Sequence, residues 1–341
     1  MSARSQTGLR LPAFVRRNLS AQPAFIFCLV LAAVGASQSA AFLSPFNVGN
    51  LVVQITPLLL VTIGQTYAVG SGGLDLSVGA IVSLVAVITA VLFAPLGIAG
   101  AVALGLLAAI AIGAINGLFI SKGIEPFLVT LATLSVAQGV ALFINPVPGG
   151  AVPAAYHAIA GYWGNVPIIL PAVMLVCLFS AWSIRKTSTG AHIVAVGGNR
   201  EVAYLCGIPV GRTYVVVYVL SAVFAALAAF FLVARTSTGD PTIGGRFTID
   251  SLAAVVLGGT VLGGGRVTML GAFFGAIALG LLSNVLNLLQ VPAFYQTPVK
   301  GLLVIGAVLL PTLITGSLAR RRALKFAASL ALPDADTRLR P

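Results

Sequence analysis

Residues 98–120 read IAGAVALGLLAAIAIGAINGLFI, a run without a single charged side chain. A run of about 20 apolar residues is long enough to cross the hydrocarbon core of a bilayer as an α-helix. Runs of this kind recur along the chain, with short polar or glycine-rich segments between them. The sequence therefore predicts an all-α polytopic membrane protein, since a membrane β-barrel would show alternating segments of about ten residues.

The composition supports the same fold class. Of the 341 residues, 59% are hydrophobic and 8% are charged, whereas a soluble domain carries roughly 25% charged residues. The net charge of +12 does not indicate nucleic-acid binding, because the basic residues are scattered over loop ends and form no stripe with aromatic residues. Most of the surface is therefore expected to face lipid.

We divide the apolar runs into about ten transmembrane helices, some of them short or broken. They cover roughly residues 24–42, 50–70, 76–95, 98–120, 127–145, 166–184, 214–234, 249–263, 268–289 and 298–316. Together they form a membrane domain of residues 24–316, between a basic cytoplasmic N-terminal segment (1–23) and a cytoplasmic C-terminal tail (317–341). Two pairs of glycines at GxxxG spacing, Gly113–Gly117 and Gly271–Gly275, predict close helix packing.

The basic residues predict the orientation. With both termini in the cytoplasm, 16 of the 19 lysines and arginines lie in cytoplasmic segments, and only Arg235, Arg246 and Lys300 lie outside. The opposite orientation reverses this count. Because short cytoplasmic loops carry an excess of Lys and Arg, we expect both termini to be cytoplasmic.

A weak internal repeat is visible in the sequence. GLDLSVGAIVSL at 73–84 resembles TIDSLAAVVLGG at 248–259, and both segments place an aspartate just before an apolar run. GAINGLFISKGIEPFLVTLATL at 113–134 has a looser counterpart in GAIALGLLSNVLNLLQ at 275–290. Five spans in each half would make the two halves inverted repeats, as in many transporters. The alternative is that glycine-rich apolar helices simply resemble one another.

The longest predicted cytoplasmic loop, residues 185–213, contains the segment VAVGGNREVAYLCGIPVGR at 194–212. Asn199 is a good N-cap, Glu201 suits the first turn of a helix, and Gly207 followed by Pro209 is a typical C-terminal stop. These residues predict a helix of about two turns from Arg200 to Cys206. Because so short a helix is unstable alone in water, it either lies on its own membrane domain or docks in the groove of a partner.

VGGNREVAYLCGI resembles the cytoplasmic coupling loop of the ribose/xylose/galactose-type permeases of bacterial ABC importers. GGLDLSVGAIVSL, GAINGLFISKGIEPFLVTLATL and DSLAAVVLGGTVLGGG are similar to further segments of that family in order and spacing, and the resemblance covers about residues 45–310. It implies a multi-pass inner-membrane permease subunit that works as a homodimer. It also implies two partners, an ABC ATPase subunit and a solute-binding protein that docks on the outer loops at 146–165 and 235–247.

If the family role applies, the short helix docks in the ATPase and transmits its movement. The residues that would couple to the ATPase are Gly197, Gly198, Asn199, Arg200, Glu201, Ala203 and Gly207. The function implied is import of a monosaccharide or related polyol, driven by ATP that a separate subunit hydrolyses. The sequence contains no GxxxxGK[ST] phosphate loop, so we expect a transport subunit without an ATPase site of its own.

The sequence indicates neither a cofactor nor a metal site, because Cys28, Cys177 and Cys206 have no metal-ligand spacing. Polar residues in or near the spans are candidates for the translocation path, since amides can donate to and accept from a hydroxyl-rich solute. These candidates are Gln65, Asp75, Asn116, Asn284, Asn287 and Gln296. Each amide could equally serve a contact between helices, and Asp75 could instead cap the helix that follows it. An ion-coupled secondary transporter is the alternative function, but it predicts carboxylates in mid-span.

Overall fold

A computed structural model describes residues 22–292, together with 294–296, 298, 299, 301, 302 and 306. The chain beyond Pro292 forms a separate unit. In the first unit the described residues form eleven α-helices: α1 (Gln22–Gln38), α2 (Pro45–Gly70), α3 (Val78–Ser121), α4 (Pro126–Ile144), α5 (Ala154–His157), α6 (Leu170–Lys186), α7 (Ser188–Gly198), α8 (Arg200–Leu205), α9 (Val210–Thr236), α10 (Gly245–Leu257) and α11 (Met269–Leu288). A two-stranded antiparallel hairpin pairs β1 (Tyr162–Trp163) with β2 (Val166–Pro167).

The predicted all-α membrane fold is confirmed in its main feature. Five of the described helices are long and apolar enough to cross a membrane, and α6 with α7 would be a sixth span if this pair, bent by 66°, is counted as one. The count of ten spans stays a prediction. Residues 1–21 of the N-terminal segment, most of the span at 298–316 and the tail at 317–341 lie outside the described residues.

Helix α3 consists of two helical halves that form a hairpin. At 44 residues it would be about 66 Å long if straight, about twice the thickness of a bilayer core. Gly97, two residues after Pro95, interrupts it with φ 66° and ψ −179°. Gly105 in the second half lies so close to the first half that a Cβ there would be 2.8 Å from Thr89 Oγ1. The two halves therefore run back along each other and match the predicted spans 76–95 and 98–120.

Helix α9 lies at the centre of the bundle and is buried along most of its length. Glycines let neighbouring backbones approach it closely: a Cβ on Gly64 of α2 would be 2.9 Å from the carbonyl oxygen of Ser221. On α3, Gly113 and Gly117 lie against the backbone of α9, and on α11, Gly271 and Gly275 lie against Gly258 and Ala254. The packing predicted from both GxxxG pairs is confirmed.

The predicted cytoplasmic loop at 185–213 differs from the structure in one respect. Residues 188–198 form helix α7, whereas the sequence predicts a loop there. Thr187 caps this helix by accepting a hydrogen bond from the Gly190 N–H at 3.2 Å. The sequence does not predict this helix, because the glycines at 190, 197 and 198 lower its helix propensity. The segment is therefore two consecutive helices, α7 and α8, between α6 and α9.

Candidate coupling helix and buried polar cluster

Helix α8 has the caps that the sequence predicts. The Asn199 side chain accepts from the Val202 N–H at 2.9 Å. At the other end Gly207 has φ +79°, its N–H donates to the Tyr204 carbonyl at 2.9 Å, and the Ile208 N–H donates to the Ala203 carbonyl at 3.0 Å. These two bonds form a Schellman motif, so both ends of a helix too short to persist alone are fixed by local hydrogen bonds.

The two faces of α8 have different surroundings. Ala203 is buried against the membrane domain, whereas Val202, Tyr204 and Leu205 are exposed, Leu205 to 83%. The exposed face borders a groove of about 720 Å³, lined by Ser121, Arg200, Glu201, Tyr204, Leu205, Ile208, Pro209, Val210, Gly211 and Arg212. The helix thus lies on its own domain and still offers an apolar surface to a partner.

Arg200 anchors α8 to the membrane helices. Its guanidinium donates to the carbonyl of Ser121 at 3.1 Å, where the C-terminus of α3 carries partial negative charge. The same guanidinium lies over the Tyr214 ring of α9, 5.5 Å from the ring centroid, which is within the range of a cation–π interaction. Arg200 therefore has an internal structural role, and its contact with an ATPase stays a prediction.

Before α8, backbones from three parts of the chain meet at a glycine junction, which we define as Gly70, Gly72, Gly197, Gly264 and Gly265. The Gly265 N–H donates to the Gly70 carbonyl at 3.2 Å, and a Cβ on Gly197 would collide with that same carbonyl oxygen. Gly72 and Gly264 have φ of +84° and +80°. The end of α2, the end of α7 and the turn after α10 are packed so tightly here that no side chain fits between them.

The connection between α2 and α3 carries a fully buried carboxyl group, that of Asp75. Its Oδ1 accepts from the Ser77 N–H at 3.0 Å and from the Ser77 hydroxyl at 2.5 Å. Its Oδ2 accepts from the Ser221 hydroxyl of α9 at 2.7 Å. Asp75 therefore holds the turn before α3 and does not cap the helix itself, because Ser77 is the N-cap and α3 has no side-chain cap bond. The bond to Ser221 adds a contact across 146 positions of sequence.

Three further side chains hold the same connection. The Asn116 amide of α3 donates to the Ser77 hydroxyl at 3.0 Å. The Tyr218 hydroxyl of α9 donates to the carbonyl of Leu74 at 3.4 Å. The Thr130 hydroxyl of α4 lies 3.2 Å from the same carbonyl and 2.8 Å from the Pro126 carbonyl of its own helix. We call this group the Asp75 cluster: the Leu74 carbonyl, Asp75, Ser77, Asn116, Thr130, Tyr218 and Ser221. It fastens one short connection to α3, α4 and α9.

The other path candidates do not share hydrogen bonds with this cluster among the described residues. Gln65 is fully buried, and neither of its amide atoms has a hydrogen-bond partner there. Asn284 forms a reciprocal amide pair with Asn47, at 3.0 and 3.2 Å. Asn287 is exposed near the end of α11, and Gln296 lies in the unit beyond Pro292. The structure therefore joins only Asp75 and Asn116 of the six.

The two predicted outer loops contact each other. The backbones of Gly149 and Gly239 exchange hydrogen bonds at 3.2 and 2.7 Å. A groove of about 470 Å³ beside them is lined by Leu232, Arg235, Thr236, Asp240, Thr242, Ile243 and Arg246. Asp240 is held in a turn, because its Oδ1 accepts from both the N–H and the hydroxyl of Thr242. The face opposite α8 therefore carries two arginines around a rigid turn.

Comparison with known proteins identifies relatives along most of the chain. A family described as "Branched-chain amino acid transport system / permease component" matches residues 47–312. The ribose import permease protein of Bacillus subtilis is 37% identical over 84% of this chain and 91% of its own length. The D-allose transport system permease protein of Escherichia coli is 33% identical over 85% and 91%. The L-arabinose ABC transporter permease protein of Azospirillum brasilense is 33% identical over 79% and 80%. No solved structure matches the chain.

Proposed function

This chain belongs to the family of branched-chain amino acid transport system permease components, and we propose that it is the membrane subunit of a binding-protein-dependent ABC importer. The observation that carries the proposal is the similarity, over most of the chain, to permeases named for ribose, allose and arabinose. We propose a monosaccharide or related polyol as the solute. Membership of this family makes the chain a multi-pass protein of the inner membrane, as its apolar helices also indicate.

We propose that transport is driven by a separate ATPase subunit that binds α8. The chain lacks a GxxxxGK[ST] phosphate loop, so its own sequence offers no Walker-type nucleotide site. Val202, Tyr204 and Leu205 present an apolar surface on a capped helix, next to a groove large enough for side chains of a partner. An amphipathic helix seated in a groove is a common mode of protein recognition.

The arrangement of spans belongs to the same proposal. We propose ten spans, cytoplasmic termini and an inverted repeat of two halves. The order of elements supports the repeat: α2, a short connection and the two halves of α3 are matched by α9, a short connection, α10 and α11. The aspartates of the two similar segments differ in place, since Asp75 precedes α3 whereas Asp250 lies in the middle of α10.

We further propose that two copies form the transporter and that a solute-binding protein docks on the outer loops around Arg235 and Arg246. The proposed path residues remain Gln65, Asn116, Asn284, Asn287 and Gln296. Asp75 was a candidate as well, but its burial and its three hydrogen bonds favour a role in holding helices together. An ion-coupled transporter without an ATPase is not favoured by any of the named relatives.

The ATPase site can be tested by co-purification from gently solubilised native membranes. We expect the tagged wild-type chain to bring down a nucleotide-hydrolysing subunit. Leu205→Glu should lose it, because the change puts a charge on the exposed face of α8 without disturbing buried contacts. The matched control is Val147→Glu, a charge on an exposed apolar residue of the opposite loop, 63% exposed, which should keep the subunit. Equal recovery with both variants would contradict the docking site.

A further inference from the structure

The Asp75 cluster and the glycine junction lie at the two ends of one short connection, residues 71–77. We propose that Asp75 is a positioning residue that ties this connection to α9, so that movement of α8 and α7 reaches the central helix of the bundle. The inference rests on the proposed function, because it concerns how an attached ATPase would move the membrane helices. It assigns Asp75 no contact with the solute.

The Asp75 carboxyl group is fully buried, and its hydrogen bonds are what make this burial tolerable. A carboxylate is costly to bury unless its oxygens are satisfied, and both oxygens of Asp75 are: Oδ1 by Ser77 and Oδ2 by Ser221. An asparagine here could still accept from Ser77 and donate from its amide nitrogen to the Ser221 hydroxyl. An alanine offers neither a donor nor an acceptor. Asp75→Ala is therefore the change that removes the link between the connection and α9.

The other end of the connection touches the segment that precedes α8. Gly197, near the end of α7, packs against the Gly70 carbonyl, and the Gly72 backbone lies beside Gly197. Because no side chain lies between these backbones, a displacement of α7 must displace the start of the connection as well. The connection spans only seven residues, and the Asp75 cluster fixes its far end.

A second contact runs in parallel. Arg200 of α8 donates to the Ser121 carbonyl at the end of α3. About one turn earlier on α3, Asn116 donates to the Ser77 hydroxyl, which itself donates to Asp75. Both of these routes reach Asp75 and pass to α9 through Ser221, beside the direct contact of Arg200 with Tyr214 at the near end of α9. Spatial contact alone does not demonstrate energetic coupling, so the test must measure coupling.

The test uses the complex of the tagged chain with its co-purified ATPase. The reporter is Thr236→Cys at the outer end of α9, in a background with Cys177→Ser and Cys206→Ser. Its labelling by a membrane-impermeant maleimide is compared without nucleotide and with ATP plus vanadate, and ATP hydrolysis is measured in parallel. The variants are Asp75→Ala, Ser221→Ala and the two combined. The control is Thr62→Val, which removes a buried hydroxyl that donates to the Leu58 carbonyl of its own helix.

We expect wild type and Thr62→Val to show the same nucleotide-dependent change in labelling. Asp75→Ala should keep ATP hydrolysis within about twofold and reduce the labelling change by about fivefold or more, the size that coupling mutations reach. Ser221→Ala should act in the same direction. The double variant should be no worse than Asp75→Ala alone, because both changes remove one shared bond. If Asp75→Ala fails to assemble, Ser221→Ala carries the test.

Three results would overturn the inference. In the first, both single variants keep the full nucleotide-dependent change in labelling. In the second, the variants lose ATP hydrolysis and the labelling change together, which indicates general unfolding. In the third, the wild-type complex hydrolyses ATP and the labelling of the reporter does not change. A wild-type chain that brings down no ATP-hydrolysing subunit is a different outcome. That result would contradict the proposed function itself.

Discussion

Gly197 is the residue at which the backbone before α8 comes closest to the membrane helices. A Cβ there would meet the Gly70 carbonyl oxygen, while a Cβ on the adjacent Gly198 would have its nearest neighbour at 3.9 Å. Gly197→Ala should therefore destabilise the protein by about 1–3 kcal/mol, the usual cost of overpacking. Gly198→Ala should be nearly neutral. The measurement is the melting temperature of each variant in detergent, with the folded fraction after heating read by size-exclusion chromatography.

Gly197→Ala and Gly198→Ala each add one methyl group to the end of the same helix. A difference in stability between the two variants therefore reports the contact of Gly197 with the Gly70 carbonyl. Similar melting temperatures for the two variants would contradict the close packing at the glycine junction. A lower melting temperature for Gly198→Ala than for Gly197→Ala would contradict it as well.

At the residue scale, local chemistry could be predicted and distant contacts could not. Asn199 and Gly207 cap α8 through bonds to residues three to four positions away, so their roles follow from spacing alone. The bonds of Asp75 to Ser77, two positions away, are local in the same way. The other partner of Asp75, Ser221, lies in a run of small apolar residues and has no signal in its own neighbourhood. Gly197 was grouped with the docking residues, and its packing role needed the structure.

At the scale of elements, the break in α3 depends on Gly97. Its φ of 66° with ψ of −179° lies in a region that is essentially restricted to glycine and costs other residues about 1–3 kcal/mol. Gly97→Ala should destabilise the hairpin by roughly that amount, although no atom lies within 4 Å of the added Cβ. Gly139→Ala is the matched control, because Gly139 is exposed and equally unhindered but helical. It should be neutral or stabilise α4 by about 0.5–1 kcal/mol.

The measurement is again the melting temperature in detergent, read for both variants beside wild type. Because neither substitution creates a clash, a difference between them reports backbone conformation alone. A Gly97→Ala protein as stable as the Gly139→Ala protein would show that the turn between the two halves of α3 does not need a positive φ.

The sequence predicted most elements but not all of them. Pro95 and Gly97 separate two apolar runs, so both halves of α3 were expected as separate spans. Helix α7 was missed because a short helix containing three glycines has a weak propensity and no long apolar run. Its stability comes from packing, since Ile193 and Val196 are buried. Tertiary contacts of that kind cannot be read from periodicity in so short a segment.

At the scale of the whole molecule, fold class and family could both be predicted. Composition and apolar run length suffice for a polytopic helical membrane protein, because lipid imposes helices on spanning segments. The family followed from several motifs in order and is confirmed by the match over residues 47–312. The number of spans and the dimer could not be settled this way, since both depend on contacts between helices or between copies.

We propose that this chain imports a sugar only when an ATPase drives it. The most direct measurement is uptake of radiolabelled D-ribose, D-allose and L-arabinose into proteoliposomes. The chain is reconstituted alone and with its co-purified ATPase and binding protein, with and without ATP on the ATPase side. We predict uptake of at least one sugar that requires all components and ATP. Uptake by the chain alone, driven by a proton or sodium gradient and unaffected by ATP, would contradict the account.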